Sequence, residues 1–334
     1  MRWSAFSTLA FTLFLSGAAL TACSGPAYTS PAAPQAAQSR NLSSLASKAT
    51  PIPYTFQTID DTASTVNRVS DINNAGEIVG CFGAGTKSSP YESYWSLPPY
   101  TTLTLVNYTS AQGTVLNAIS SNTTPVMAGY VINPPQLAGN WGLVDVSGLF
   151  TLLKDHKEGS GKDAVTEING VNASKYGAGF YVNASGTSMP VVVNITLGSY
   201  AALKVPSSTG AQATGINARS EVAGWNTTTS GGVQGWFERN GSYFPLTYPG
   251  SAKTEALSLN ATEQIVGFYT DSSGTEHGFV MSNPTGSQGQ QVWQSIDEPN
   301  AAQGTAVTGI NDSGYITGYY VDSSGAQHGF VGTP

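Results

Sequence analysis

Short apolar runs punctuated by clusters of Asn, Asp, Ser and Gly recur from residue 54 to the end of the chain, the pattern of many short strands joined by turns. In "YITGYYV", residues 315 to 321, Ile316, Gly318 and Tyr320 fall on one face and Tyr319 and Val321 on the other. Neither face is polar, so such a strand has to be covered on both sides by further sheet. A run such as "TAVTGIN" precedes it, a "DSSG" turn follows, and then "QHGFV". A variable piece such as "VWQSID" completes a group of four strands, here called A to D.

The group repeats. "GINDSGYITGYYVDSSGAQHGFV", residues 309 to 331, echoes "SLNATEQIVGFYTDSSGTEHGFV", residues 258 to 280. Taking the Asn that ends strand A as a marker, copies fall at Asn73, Asn172, Asn217, Asn260 and Asn311, with a degenerate copy at Ser120. Their spacing averages about 48 residues, near the length of one four-stranded propeller blade. Seven residues after each Asn stands Gly80, Gly179, Gly224, Gly267 or Gly318, with Gly129 in the degenerate copy. "NNAG" and "NDSG" put Asn first and Gly fourth in a type I turn between strands A and B.

The last copy has no D strand of its own. Its counterpart is at the other end of the chain, where "YTFQTID", residues 54 to 60, matches "VWQSID", residues 292 to 297. The expectation is therefore an all-β, six-bladed β-propeller over residues 53 to 334, with the N-terminal strand completing the last blade and hiding a sheet edge. An open solenoid, the competing architecture, would not need complementary ends.

"GINDSGYITG" with "QHGF", "LNATEQIVG" with "EHGF" and the weaker "GINARSEVAG" with "QGWF" resemble the bacterial extracellular repeat family named after its His-Ala-Phe tripeptide; Gly329 stands where that family has Ala. The resemblance covers roughly residues 54 to 333. It implies an exported repeat protein and brings no catalytic residues with it.

The N-terminus has a different character. Arg2 precedes "AFSTLAFTLFLSGAAL", 16 residues, short for a membrane span of about 20. Leu20-Thr21-Ala22-Cys23 then resembles the lipobox of bacterial lipoprotein signals. The resemblance implies a signal peptide over residues 1 to 22, lipid on Cys23, and, since Ser24 is not Asp, an outer-membrane or surface anchor. A simple secretory signal is the alternative. Lipid on Cys23 would leave Cys81 as the one thiol in a chain of 2 cysteines. Residues 23 to 52, rich in Ala, Ser and Pro, read as anchor and tether.

Composition narrows the function. The formal charge is -7, with 13 Lys+Arg against 20 Asp+Glu, which argues against nucleic acid as a partner. Only 10% of residues are charged, and 38 Gly favour turns over helices. Attachment to a membrane is expected through the lipid alone, and the folded part as a monomer.

The chemistry-bearing residues are few. His277 and His328 share one repeat slot and read as structural groups at the start of strand C. His156 lies in the insertion "LKDHKEGSGKD", and with no second unexplained His or Cys cluster no metal site or cofactor is expected. Asp271 and Asp322, in "DSSG", read as turn formers. No Gly-x-Ser-x-Gly elbow exists. The chemistry left is paired-carboxylate work on glycans, which needs two acids about 5 to 10 Å apart. By analogy with other propellers, the ligand face is the one carrying the loops from D to A and from B to C. Those loops hold Asp60, Asp61, Tyr91, Glu92, Asp155, His156, Glu158, Asp297 and Glu298, the candidate rim. The leading expectation is a non-enzymatic envelope lipoprotein that binds a glycan or another envelope protein; the alternatives are a glycan-cleaving hydrolase or lyase using rim carboxylates, and a scaffold whose partner docks on blade edges.

Overall fold

The computed structural model describes residues 51–155, 157–160 and 164–334. The signal peptide, Cys23, nearly all of the tether and His156 lie outside the described residues. Within them every regular element is a strand. β1 (Thr55–Ile59) comes first, followed by a unit of β2 (Asn67–Ile72), β3 (Ile78–Phe82), β4 (Glu92–Ser96) and β5 (Thr104–Leu105). The second unit is β6 (Gly113–Ile119), β7 (Val126–Ile132), β8 (Asn140–Val146) and β9 (Leu149–Leu153), and the third β10 (Val165–Val171), β11 (Tyr176–Val182), β12 (Ser188–Asn194) and β13 (Ser199–Ala202). The fourth is β14 (Ser208–Ile216), β15 (Val222–Thr228), β16 (Val233–Arg239) and β17 (Ser242–Leu246). β18 (Lys253–Leu259), β19 (Ile265–Thr270), β20 (Glu276–Ser282) and β21 (Val292–Ile296) form the fifth. The sixth has β22 (Gly304–Ile310), β23 (Ile316–Val321) and β24 (Gln327–Thr333), and its fourth strand is β1, antiparallel to β24 from Thr55 opposite Thr333 to Ile59 opposite Gly329.

Within each unit neighbouring strands are antiparallel. Between units, single parallel pairs join the C strand of one to the A strand of the next, as at Asn140 with Val165, Lys253 with Val233, and Glu276 with Gly304. These links gather the strands into sheets of 12, 8 and 4 strands rather than one continuous sheet. An isolated parallel bridge between Val66 and Gln327 also links the sixth unit to the first.

The turn asparagines explain why the units lie side by side. Asn73 Oδ1 accepts from the backbone N–H of Ala75 and Glu77, which fixes its own turn, while its Nδ2 donates to the Ser120 carbonyl at 3.1 Å. The same reach recurs from Asn172 to the Asn217 carbonyl, Asn217 to Asn260, Asn260 to Asn311, and Asn311 back to Asn73, all between 3.0 and 3.2 Å. In the degenerate second copy the work is divided. Ser120 Oγ holds the turn by accepting from Val126 N, and the amide two residues on, Asn122, donates to the Ala173 carbonyl. The six units are thus linked in a cycle of amide-to-carbonyl hydrogen bonds.

Packing between units supplies the core. Tyr94, Trp236, Phe279 and Phe330, each on a C strand, are at most 2% exposed, a burial worth roughly 2 to 3 kcal/mol for each side chain. Phe56 of β1 meets Phe330 edge-on at 5.3 Å, so the N-terminal strand brings apolar surface as well as backbone pairing. Cys81 is fully buried near Val115 and Tyr130.

Candidate functional site

The described candidate rim residues lie at the end where strand D runs into A and B turns into C, and the structure engages them one by one. His328, on β24, is bracketed by two carboxylates: its Nδ1 lies 2.6 Å from Asp60 Oδ2 and its Nε2 3.3 Å from Asp322 Oδ2. Asp60 Oδ1 also accepts from Gly329 N. The imidazole stacks on Tyr320, with centroids 5.0 Å apart. One unit earlier the arrangement recurs, with His277 Nδ1 2.7 Å from Asp297 Oδ1, Nε2 3.5 Å from Asp271 Oδ2, and the ring stacked on Tyr269. Asp271 and Asp322 are the turn formers that their "DSSG" context implies, each accepting from the backbone and hydroxyl of the Ser two residues on. Those bonds, with the Ser324 hydroxyl foremost, hold the Asp322 carboxyl down at about 2.

Burial works against a charged His328, but the hydrogen bonds to Asp60 and Asp322 outweigh it and raise its pKa above the ordinary 6.5. A histidine whose pKa is raised in the folded state stabilises the fold at pH values below the unfolded value, and that contribution fades as pH rises through the folded one. The denaturation midpoint of the protein should therefore fall from about pH 6.5 upward, and His328→Gln should flatten that fall. Midpoints measured at half-unit steps from pH 5 to 9 check this; an identical slope in the variant would remove His328 as its source.

The other rim residues are also held. Glu298 is 4% exposed and accepts from Asn300 N and Nδ2. Asp155, 1% exposed, accepts from Lys157 N. Glu158 pairs with Lys154 Nζ at 2.8 Å and accepts from the Thr166 hydroxyl. Asp61 caps the backbone of Ala63. Tyr91 packs half-buried against the cluster of Cys81, Val115 and Tyr130, and Glu92 begins β4. The structure brings Asp60 and Asp322 together around one imidazole and Asp271 and Asp297 around another; it does not gather the rim into one site.

The cavity described lies elsewhere, on the axis at the opposite end, where the A strands run into their turns. Each A strand carries a β-bulge at the same place, between Val69 and Asp71, Leu116 and Ala118, Ile168 and Gly170, Ala213 and Gly215, Ala256 and Ser258, and Val307 and Gly309. The extra residue redirects a side chain towards the neighbouring unit. Thr214 Oγ1 donates to the Ala256 carbonyl at 2.8 Å, Thr308 Oγ1 to that of Val69 at 2.6 Å, and Asn117 Nδ2 to Asn169 Oδ1 at 2.8 Å. Together with the turns these residues form a mouth of ≈ 100 Å³, open to solvent and lined by groups that include Asp71, Asn74, Asn117, Asn169, Ser258 and Asp312. No Lys, Arg or His is among its lining residues. Asp71 accepts from Ile119 N at 3.0 Å, yet burial dominates and pushes its carboxyl up to about 7. Asp312 is fixed by Asn74, whose Nδ2 lies 2.7 Å from Asp312 Oδ2. Sequence reasoning missed this mouth; its signal was the recurrence of Asn, Ser or Thr three residues before the marker, at Ser70, Asn117, Asn169, Thr214 and Thr308.

No family model matches the chain, and no curated protein matches it. Solved structures do. A protein of unknown function from Dyadobacter fermentans superposes with a TM-score of 0.56 at 11% identity, over 83% of this chain and 96% of that one. TolB from Acinetobacter baumannii gives 0.51 at 9% identity, over 77% of this chain and 63% of that one. The sialidase of Trypanosoma rangeli, in complex with the inhibitor DANA, gives 0.50 at 9% identity, over 82% of this chain and 57% of that one. The chain thus spans less than two thirds of the length of TolB and of the sialidase. Both are β-propeller proteins, and at such identities the likeness shows that fold for this chain and nothing further.

Proposed function

We propose that the chain is an envelope-displayed binding protein, a six-bladed β-propeller held to the membrane through lipid on Cys23, and that it recognises a neutral glycan at the axial mouth rather than cleaving one at the rim. The single observation that carries binding over cleavage is the engagement of the rim acids, since Asp60, Asp297, Asp155, Glu158 and Glu298 are each bonded to a fixed partner within the protein. A general acid and base need room for a substrate oxygen or a water between them. The mouth has a different character: amides, hydroxyls and backbone groups converge from all around the axis without a cation, a lining suited to a polyhydroxylated ligand. Six four-stranded units and the β1 to β24 pairing support the blade count. The HAF-like repeats and the lipobox support export and anchoring.

Thermal melting of the protein against a panel of oligosaccharides tests the reading. A neutral sugar at 100 times its dissociation constant should add about 2.7 kcal/mol to stability. Asn117→Leu, which removes an amide from the mouth, should abolish the shift. No shift across the panel, or one that survives Asn117→Leu, would sink the mouth as the glycan site. New reducing ends released from any polysaccharide, and lost in Asp60→Asn, would reinstate cleavage.

The anchor has a separate test. Cys23→Ser should abolish labelling with a radioactive fatty acid and leave the unprocessed precursor detectable. Labelling that persists in the variant would rule out Cys23 as the acceptor.

A further inference from the structure

Five residues before each turn marker, the A strand pairs with the B-strand residue that follows the repeat glycine. The pairs are Arg68 with Cys81, Val115 with Tyr130, Glu167 with Phe180, Gln212 with Trp225, Glu255 with Phe268, and Ala306 with Tyr319. They form one tier around the axis, two residues along the A strands from the bulges. Besides Glu255 Oε1, which faces Lys253 Nζ, three polar atoms in this tier are buried without a hydrogen-bond partner: Arg68 Nε, Gln212 Oε1 and Trp225 Nε1. Their residues are 8%, 2% and 4% exposed.

Arg68 is the decisive group. It takes part in none of the ion pairs among the described residues. A buried guanidinium keeps its charge, and a buried charge without a partner is costly. Tyr94, Tyr130 and Tyr319 lie within its field, and the last two come from the units on either side, so the tier converges on Arg68. Gln212 and Trp225 belong to the fourth unit, three steps from the first in either direction. Glu255 is neutralised by Lys253 Nζ at 2.9 Å, and Glu167 accepts from Asn140 Nδ2 at 2.9 Å while burial raises its carboxyl to about 7. Two acids at the same level of the A strands as Arg68 disfavour a dianion. One guanidinium with unpartnered donor and acceptor atoms across the axis suits a monoanion that has hydroxyls at its other end. Phe180, Phe268 and Trp225 supply walls for C–H faces.

We propose that this axial tier binds a small organic carboxylate of the sugar-acid class, with the carboxylate on Arg68 and hydroxyls on Gln212 and Trp225. Tyr319 and Lys253 are half-buried, so the tier meets solvent at the end where the A strands begin. The site lies apart from the mouth and does not depend on the neutral-glycan reading.

Calorimetric titration of the full chain with glucuronate, with glucose and inorganic phosphate as comparators, decides the matter. Saturable binding of one glucuronate per chain is expected, with glucose silent and phosphate weaker. Arg68→Met should abolish binding, and Gln212→Leu should weaken it by at least about tenfold, the loss of one hydrogen bond to a buried group. Arg68→Met replaces an unpaired buried charge by an apolar chain, so it should fold at least as well as the parent; if it does not fold, Gln212→Leu carries the test. The mouth variant Asp312→Asn should leave glucuronate binding intact. Absence of glucuronate binding, undiminished binding in both tier variants, equal binding of glucose, or tighter binding of phosphate would each overturn the proposal.

Discussion

Gly267→Ala should cost more than about 3 kcal/mol of stability, beyond the ordinary range for an extra methyl in a packed core. A β-carbon at Gly267 would stand 1.9 Å from the Glu255 carbonyl oxygen and 2.9 Å from Phe279 Cζ. Neither neighbour can give way cheaply, since the carbonyl belongs to the paired strand β18 and Phe279 is fully buried. The glycine exists so that a C-strand aromatic can lie across the B strand, and the same reasoning applies at Gly318, where the β-carbon would meet the Ala306 carbonyl at 2.0 Å and Phe330 at 2.6 Å. Gly289→Ala, with nothing within 4 Å, is the control and should change stability by less than about 0.5 kcal/mol. Urea denaturation of the three proteins checks the prediction. A Gly267→Ala midpoint within error of the parent would mean that the unit relaxes and that the glycine is not a packing requirement.

Asn311→Ala should cost about 2 to 3 kcal/mol, and as much as Asn172→Ala. Each side chain accepts from two backbone N–H groups of its own turn and donates one bond to a neighbouring unit. Losing three such bonds in a buried place accounts for the magnitude. The comparison tests the seam. Asn172 joins two units that are consecutive in the chain, whereas Asn311 joins the last to the first across 238 residues. A closed ring makes the two variants equivalent, and an open array makes Asn311 an end group whose loss is felt by less than about 1 kcal/mol. Denaturant midpoints that separate the two variants by more than that would speak against closure.

Much of the architecture could be read from the chain because its local requirements repeat. An Asn able to hold a turn and a Gly able to admit an aromatic leave the same mark in successive copies, and the match of residues 54–60 to 292–297 foretold the pairing of β1 with β24. The second unit was the hardest to see, because Ser120 and Asn122 share between them what one Asn does elsewhere. The site was less legible for a physical reason. Whether Asp60 faces a ligand or an imidazole depends on His328, 268 residues away, and nothing near Asp60 in the chain carries that information. Arg68 drew no notice in the sequence either, although a charged or amide residue five positions before the marker recurs as Glu167, Gln212 and Glu255. Such residues are ordinary in a solvated strand; they become informative once the strand is known to line an axis.

The pairing of β1 with β24 also sets an order of events. The first strand of the folded part to leave the ribosome has as its partner β24, so it waits through the synthesis of all the strands between with one edge uncovered. A product that stops before Gln327 would keep that edge for good, together with the exposed flank of β23, and two such edges invite pairing with other chains. Late truncations should therefore be lost to aggregation, although they lack only a few residues. Joining Pro334 to Tyr54 and cutting the chain in an exposed turn, as between Ser230 and Gly231, would place β1 directly after β24 and remove the wait.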